Sequence, residues 1–152
     1  MKSILRIIHP LAGALAMFTI TLFIIATLAS EVFGGATAIA AVKAGILRGL
    51  LVLIPALAIV GGSGFRLGTY GLAATKIVRM RVVAANGVLV LIPCAFVLAR
   101  WAQQGAFDGA FYAVQGLELL AGSVNLTLLG LNMRDGLRMR AKRMAATSVR
   151  MA

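Results

Sequence analysis

The sequence predicts an all-α protein built as a bundle of four transmembrane helices. Of its 152 residues, 61% are hydrophobic and 12% are charged, whereas soluble domains have about 45–50% apolar and about 25% charged residues. A soluble domain of this size lacks the interior to bury so much apolar surface. Because apolar and polar residues do not alternate at a period of two, a transmembrane β-barrel is not expected. The expected spans are therefore α-helices, in which the backbone N–H and C=O groups hydrogen-bond to each other inside lipid.

Four apolar stretches define the expected spans. They cover residues 10–29, 44–61, 82–99 and 110–131, and each has the roughly 17–25 residues that a helix needs to cross the hydrocarbon core. The first stretch is too long for the apolar region of a signal peptide, which has about 7–15 residues, so we expect a retained anchor. Together the spans form one transmembrane domain, residues 1–132.

Basic residues are concentrated on one side of the expected membrane. Most of the 15 Lys and Arg residues lie at the N-terminus, between the second and third spans, or in the C-terminal tail. Since basic connections stay in the cytoplasm, both termini are expected to be cytoplasmic, in a bacterial inner membrane. The opposite connections contain Glu31 and Asp108.

The net charge of +11 does not indicate a nucleic-acid partner. It is divided among three segments at one membrane face, where anionic lipid headgroups account for it. Residues 133–152 form a basic amphipathic cytoplasmic tail, in which Met133, Leu137, Ala141 and Met144 share one side of a helix. We expect this helix to lie along the headgroups, with a solvated tail as the alternative.

A short repeat connects the second and third spans. Residues 51–55 and 89–93 both read Leu-Val-Leu-Ile-Pro, so Pro55 and Pro93 are expected to bend their helices near the middle of the membrane. Matched helix breaks mark binding sites in transporters, and two ordinary proline kinks are the alternative. The glycine-rich connection 61–81 is expected to be a flexible loop. It does not follow a strand, so it is not a phosphate-binding loop.

Small residues at four-residue spacing predict close helix packing, either within the bundle or in a dimer. They are Ala12 with Ala16, Gly45 with Gly49, and Gly122 in the fourth span. The single cysteine, Cys94, falls in the middle of the third span and is expected to be a small apolar filler.

Two charged residues fall inside the expected spans, Arg48 in the second and Glu118 in the fourth. Charges at the membrane centre are costly and usually have a purpose. We expect an Arg48–Glu118 ion pair that locks two helices together. The alternatives are a proton or substrate role for Glu118, or an outward-pointing Arg48 with a protonated Glu118.

The fourth span also has a polar stripe at helical spacing. Its members are Gln115, Glu118, Gly122, Asn125 and Asn132. This stripe must face other helices or a partner protein. Asn86, near the inner end of the third span, is expected to meet Asn125 at a similar depth, as a packing contact between helices.

The only histidine, His9, precedes Pro10 at the start of the first span, where it could cap the helix and meet lipid phosphate. Arg6-Ile7-Ile8-His9 followed by a long apolar stretch resembles the first helix of bacterial b-type cytochrome membrane subunits. The resemblance implies haem b, with His9 as axial ligand and Arg6 holding a propionate, or a quinone headgroup site. Those families use two or four histidines, so haem here would need His9 of a symmetric partner, a methionine such as Met17, or five-coordinate iron.

No catalytic triad, paired carboxylates or metal-ligand cluster is evident, so an enzyme is not expected. One Cys and one His cannot form a structural zinc site. We expect a non-catalytic membrane or accessory subunit of a larger assembly, in contact with other membrane subunits or a second copy. The alternatives are a dimeric haem-binding electron-transfer protein using His9 and a small oligomeric transporter using Glu118.

Overall fold

The computed structural model describes residues 2–67 and 72–151, and these residues are helical almost throughout. The helices are α1 (Lys2–Phe33), α2 (Ala36–Leu67), α3 (Leu72–Asn86), α4 (Ile92–Gln103) and α5 (Gly109–Met151). A π-helical turn, Gly87–Leu91, joins α3 to α4 without a break, and we call this combined segment the third span. The predicted all-α class is confirmed.

Four helical segments are long and apolar enough to cross a membrane. They are Ile7–Phe33, Ala36–Gly64, Thr75–Gln103 and Gly109–Met139, with mean hydropathies of 2.3, 2.2, 2.4 and 1.3. Each extends beyond its predicted span, because the helix continues through polar and glycine residues that hydropathy assigns to connections. The protein is a multi-pass membrane protein with four transmembrane-capable helices.

The four spans are arranged as a ring around a common centre. α1 packs against α2 and α5, and the third span packs against the same two helices. Within the described residues, no Cα of α2 lies within 8 Å of a Cα of α5, and the same holds for α1 and the third span. Therefore α2 and α5 face each other across the bundle diagonal.

The two ends of the bundle differ. The short connections 34–35 and 104–108 lie at one end, which we call the loop end. The two chain termini and the connection between α2 and α3 lie at the other, the tail end. At the loop end Asp108 Oδ1 accepts a hydrogen bond from the Phe111 backbone N–H at 3.0 Å, which caps the N-terminus of α5.

Apolar side chains from all four spans fill the bundle. The central cluster consists of Ala16, Ile20, Ile46, Leu50, Leu53, Ala56, Val83, Ala95 and Leu129. A smaller cluster of Ile39, Leu98, Ala102 and Phe111 lies near the loop end. Large apolar side chains such as Phe18, Leu51 and Leu89 are exposed on the outside, as expected where lipid is the solvent.

Glycine permits the close approach of α1 and α2. A Cβ on Gly49 would lie 2.5 Å from Cζ of Phe23, so only glycine leaves room for that ring. Ala12 and Ala16 are also buried in the bundle. Gly45 differs from these residues, because the space beside it is open.

The glycine-rich connection is mostly helical, which corrects the expectation of a loop over 61–81. α2 continues to Leu67 and α3 begins at Leu72, because a helix satisfies backbone groups near the membrane better than an open loop does. Tyr70 lies outside the described residues, as does the side chain of Phe65. Pro10 also lies within α1 instead of at its start.

The prolines of the repeat have different surroundings. Pro55 lies inside an uninterrupted α-helix, whereas Pro93 follows the π-helical turn. In that turn the Ile92 backbone N–H donates to the Gly87 carbonyl, five residues back. Because proline lacks an N–H and its ring crowds the preceding turn, a wider turn accommodates Pro93.

The expected boundary between the transmembrane domain and the tail is not a helix boundary. α5 passes through it and continues to Met151, since no proline follows Pro93 to interrupt it. Met133 and Leu137 are exposed on this part of the helix. Side chains after Ala141 lie outside the described part of the structure.

Candidate functional site: the polar column of α5

The polar stripe of α5 faces the interior of the bundle, and its members contact the other spans. The side chains with hydrogen-bond partners on other helices are those of Gln115, Glu118, Asn125, Asn132 and Asp135. They run from the loop end to the tail end of the helix. We call this set, together with its partners, the polar column.

Glu118 is paired with Lys43, not with Arg48. Lys43 Nζ lies 2.6 Å from Glu118 Oε2, and the two side chains are 1% and 12% exposed. Lys43 belongs to α2, so this ion pair crosses the bundle diagonal. The lysine side chain is long enough to span the distance between the backbones of α2 and α5.

The predicted Arg48–Glu118 pair is therefore corrected. Arg48 is exposed, and its Nε donates to the Ala44 carbonyl at 3.4 Å. Five residues separate Arg48 from Lys43, a rotation of about 140° around an α-helix, so the two cannot face the same neighbour. The buried residues Ile39, Ile46 and Leu50 share the face of Lys43, and this periodicity was the sequence signal for the correct partner.

A second carboxylate lies close to this pair. Gln115 Nε2 donates to Glu31 Oε1 at 2.8 Å, and Gln115 is one helical turn from Glu118. Sequence reasoning placed Glu31 in a connection, whereas α1 continues to Phe33 and carries Glu31 into the bundle. Gln115 Oε1 is buried and has no hydrogen-bond donor among the described residues.

A small cavity lies beside Glu118 at the centre of the bundle. Its volume is about 50 Å³, and its lining includes Thr27, Leu91, Ala95 and Gly122 besides Glu118. A buried water needs about 10–15 Å³ of such space and two or more polar partners. The cavity is large enough for water and too small for an organic substrate, but its lining is almost entirely apolar apart from Thr27 and Glu118.

The third span meets α5 through two amides. Asn86 Nδ2 donates to Asn125 Oδ1 at 2.8 Å and to the Ala121 carbonyl at 2.8 Å. Asn125 Nδ2 donates to the Val83 carbonyl at 3.3 Å, and Asn125 is fully buried. The structure thus brings together the two asparagines that were expected to meet.

Polar contacts continue towards the tail end. Arg79 Nη1 lies 2.7 Å from Asp135 Oδ2, and Asn132 Nδ2 donates to the Lys76 carbonyl at 3.4 Å. Asp135 was not anticipated as an interior residue, because hydropathy places it beyond the fourth span. Its carboxylate ties the start of the basic tail to α3.

His9 contacts α2. Its Nδ1 lies 2.7 Å from Ser63 Oγ, and its Cε1 lies 3.6 Å from where a Cβ on Gly64 would be. The ring is therefore held between α1 and α2. The side chain of Arg6, the other residue of the haem or quinone interpretation, lies outside the described part of the structure.

Cys94 is a buried free thiol. Among the side chains that the structure describes, no group of three or more His, Cys, Asp or Glu residues is placed to hold a metal ion.

Comparison with known proteins yields no relative. No family model, no curated protein and no solved structure matches the chain.

The polar column is suited to two roles, one structural and one in transport. Its contacts between α5 and the other spans fix the register of the helices, which is the usual role of interhelical polar contacts in membranes. Ionisable groups at membrane depth are also the groups that move protons or bind ions in transporters. The column differs from the outward-facing surface of α5 between residues 117 and 128, whose exposed side chains are apolar apart from Ser123 and Thr127.

Proposed function

We propose that this protein is a non-catalytic accessory subunit of a membrane assembly, located in a bacterial inner membrane with both termini in the cytoplasm. It would associate with other membrane helices through the outer surface of α5. The concentration of basic residues at the tail end supports the orientation. The polar stripe was expected to face other helices or a partner protein, and its contacts are made within the bundle, so a partner needs a different surface.

A shallow groove on the outside of α5 carries this proposal. Its volume is about 280 Å³, and it is formed by Leu120, Ser123, Val124, Thr127 and Leu128. Ser123 and Thr127 are small residues one helical turn apart, a spacing that lets a second helix approach closely. We call this surface the α5 groove.

The hydroxyls of the α5 groove are compatible with an apolar neighbour. Ser123 Oγ donates to the Leu119 carbonyl at 2.8 Å, and Thr127 Oγ1 donates to the Ser123 carbonyl at 2.8 Å. Both groups are thereby satisfied without water. Packing against another helix would cost no unpaired polar group.

Native gel migration in mild detergent tests the proposal. The wild-type protein is expected to migrate in a complex larger than its 15.8 kDa chain. Ser123→Trp fills the groove and should reduce the size of the complex. Leu51→Trp, at a position 76% exposed on α2, is the matched control and should not. A lone wild-type chain, or an unchanged complex in Ser123→Trp, would contradict the proposal.

A second candidate function is proton-coupled transport by an oligomer. The position of Glu118 supports it, because this carboxylate lies at membrane depth beside a cavity and is paired with Lys43. Glu31 and Gln115 extend the polar contacts from Glu118 towards the loop end. Four helices alone provide little space for a pathway, so the transporter would need further copies.

Proton flux into proteoliposomes tests this second candidate. Glu118→Gln should abolish the flux that the wild-type protein supports, since the amide cannot carry the proton. Arg48→Gln removes an exposed charge from the same half of the bundle and should leave the flux unchanged. Full flux in Glu118→Gln would leave only a structural role for the ion pair.

A further inference from the structure

We propose that the tail end of the bundle binds the phosphate of one anionic phospholipid, with Lys76 as its cationic contact. This site is separate from the Lys43–Glu118 pair and from the α5 groove. It is formed where Lys76 of α3 packs against Gly136 of α5, and His9 of α1 lies at the same end of the bundle. The membrane-spanning segments begin at Ile7 in α1 and at Thr75 in α3 and end at Met139 in α5, which places the site at the level of the lipid headgroups.

Lys76 occupies space that a glycine leaves open. Its Nζ lies 3.2 Å from the position that a Cβ on Gly136 would take. The neighbouring carboxylate of Asp135 is engaged by Arg79 at 2.7 Å and by Arg134 at 3.5 Å. Among the described residues, the Lys76 ammonium donates no hydrogen bond, so it lacks an acceptor.

The charges around this position favour an anionic ligand. Lys76, Arg79 and Arg134 lie near one carboxylate, that of Asp135. A phosphate bound at Lys76 would offset the excess positive charge through a charge-assisted hydrogen bond. Phospholipid phosphates are the anions present at this depth, and they attract basic residues at the membrane surface.

His9 adds an acceptor to the site. The Ser63 hydroxyl donates to the Ile59 carbonyl, so its oxygen accepts from the Nδ1–H of His9. This hydrogen-bond network leaves a lone pair on Nε2 of the neutral ring. His9 and Lys76 both lie near the start of their membrane-spanning segments, so they are at the same end of the bundle. A cationic donor and an acceptor at the same end of the bundle fit a headgroup that combines a phosphate with a hydroxyl group, as in phosphatidylglycerol.

Native mass spectrometry of the full chain tests this inference. The protein is released from micelles containing equal amounts of phosphatidylglycerol and phosphatidylcholine. We expect the wild-type protein to retain one phosphatidylglycerol in preference to phosphatidylcholine. Lys76→Gln should weaken this retention about tenfold or more, the effect of losing one hydrogen bond from a charged group. Equal retention of the two lipids by the wild-type protein would overturn the proposal.

Two matched comparisons separate a defined site from general attraction. Arg138→Gln removes an exposed charge from the same end of α5 and should leave retention unchanged. A loss of retention as large as that in Lys76→Gln would mean diffuse attraction and overturn the proposal.

Gly136→Ala displaces the Lys76 ammonium and should weaken retention. Gly130→Ala, whose Cβ would meet Met17 Cε at an ordinary 3.8 Å, should not. Because Gly136→Ala keeps every charge, it remains informative if Lys76→Gln fails to fold.

Inorganic phosphate distinguishes the two sources of the ligand. Added in excess to the wild-type protein in the same micelles, it should not displace phosphatidylglycerol, because the lipid is also held by its acyl chains in the bilayer-like surroundings. Displacement by inorganic phosphate would mean that the site binds the free ion and would overturn the lipid assignment.

Discussion

Lys43 and Glu118 form an ion pair between two helices whose backbones do not approach each other. Their charged atoms are 2.6 Å apart, while no Cα atoms of α2 and α5 in the described residues lie within 8 Å. The contact therefore depends on the length of the two side chains. Burying both charges costs solvation energy that their attraction only partly repays, so stability alone is a weak reason for such a pair.

Removing Lys43 should destabilise the bundle strongly. Lys43→Met leaves Glu118 without its partner in a buried site, a change that typically costs about 3–5 kcal/mol. Arg48→Met should change the free energy of unfolding by about 0.5 kcal/mol or less, because Arg48 is exposed. Unfolding in mixed micelles by increasing fractions of a denaturing detergent measures both. Equal losses in the two variants would contradict the pairing with Lys43.

Replacing both Lys43 and Glu118 tests whether the bundle needs this ion pair for its stability. The double variant Lys43→Met, Glu118→Leu removes the pair without leaving an unpaired charge, so it should regain much of the stability lost in Lys43→Met. A double variant less stable than Lys43→Met alone would show that Glu118 stabilises the bundle through contacts other than Lys43.

The Asn86–Asn125 contact should contribute modestly to stability. A double-mutant cycle with Asn86→Ala and Asn125→Ala isolates their interaction, and we expect a coupling of about 0.6 kcal/mol, with about 1.7 kcal/mol as the upper range for such contacts. Asn86 also donates to the Ala121 carbonyl, and Asn125 donates to that of Val83. Each single variant should therefore lose more stability than the coupling alone, and zero coupling would contradict the direct contact.

Two glycines on α2 should respond differently to the same substitution. Gly49→Ala places a methyl group 2.5 Å from the Phe23 ring and should cost about 1–3 kcal/mol through overpacking. Gly45→Ala, one helical turn away, meets no atom within 4 Å and should be neutral or slightly stabilising. The free energy of unfolding in detergent checks both. A harmless Gly49→Ala would mean that α1 and α2 are less closely packed than described.

Composition was sufficient to predict the helical class and the four spans, because lipid imposes a single requirement on every backbone group. Helical periodicity also identified the interior stripe of α5, including Asn125 and Gln115. These features depend on local pattern. They needed no knowledge of which helices are neighbours.

The partners in the polar column could not be predicted as reliably, because they depend on the ends of the helices and on the ring arrangement. Glu31 was assigned to a connection, and Lys43 lies one residue outside the predicted span 44–61. The helices continue past the predicted spans and bring both residues into the interior. The π-helical turn before Pro93 likewise has no counterpart before Pro55, although the two prolines follow the same four residues.

The orientation of the bundle can be tested with single cysteines, because the native Cys94 is buried and should react little. Gln104 at the loop end and Arg138 at the tail end are both exposed. Since basic residues remain in the cytoplasm, a membrane-impermeant maleimide added to intact bacterial cells should label Gln104→Cys and leave Arg138→Cys unmodified. After permeabilisation both should react, which controls for accessibility. Labelling of Arg138→Cys in intact cells would reverse the orientation and would place the proposed lipid site in the outer leaflet.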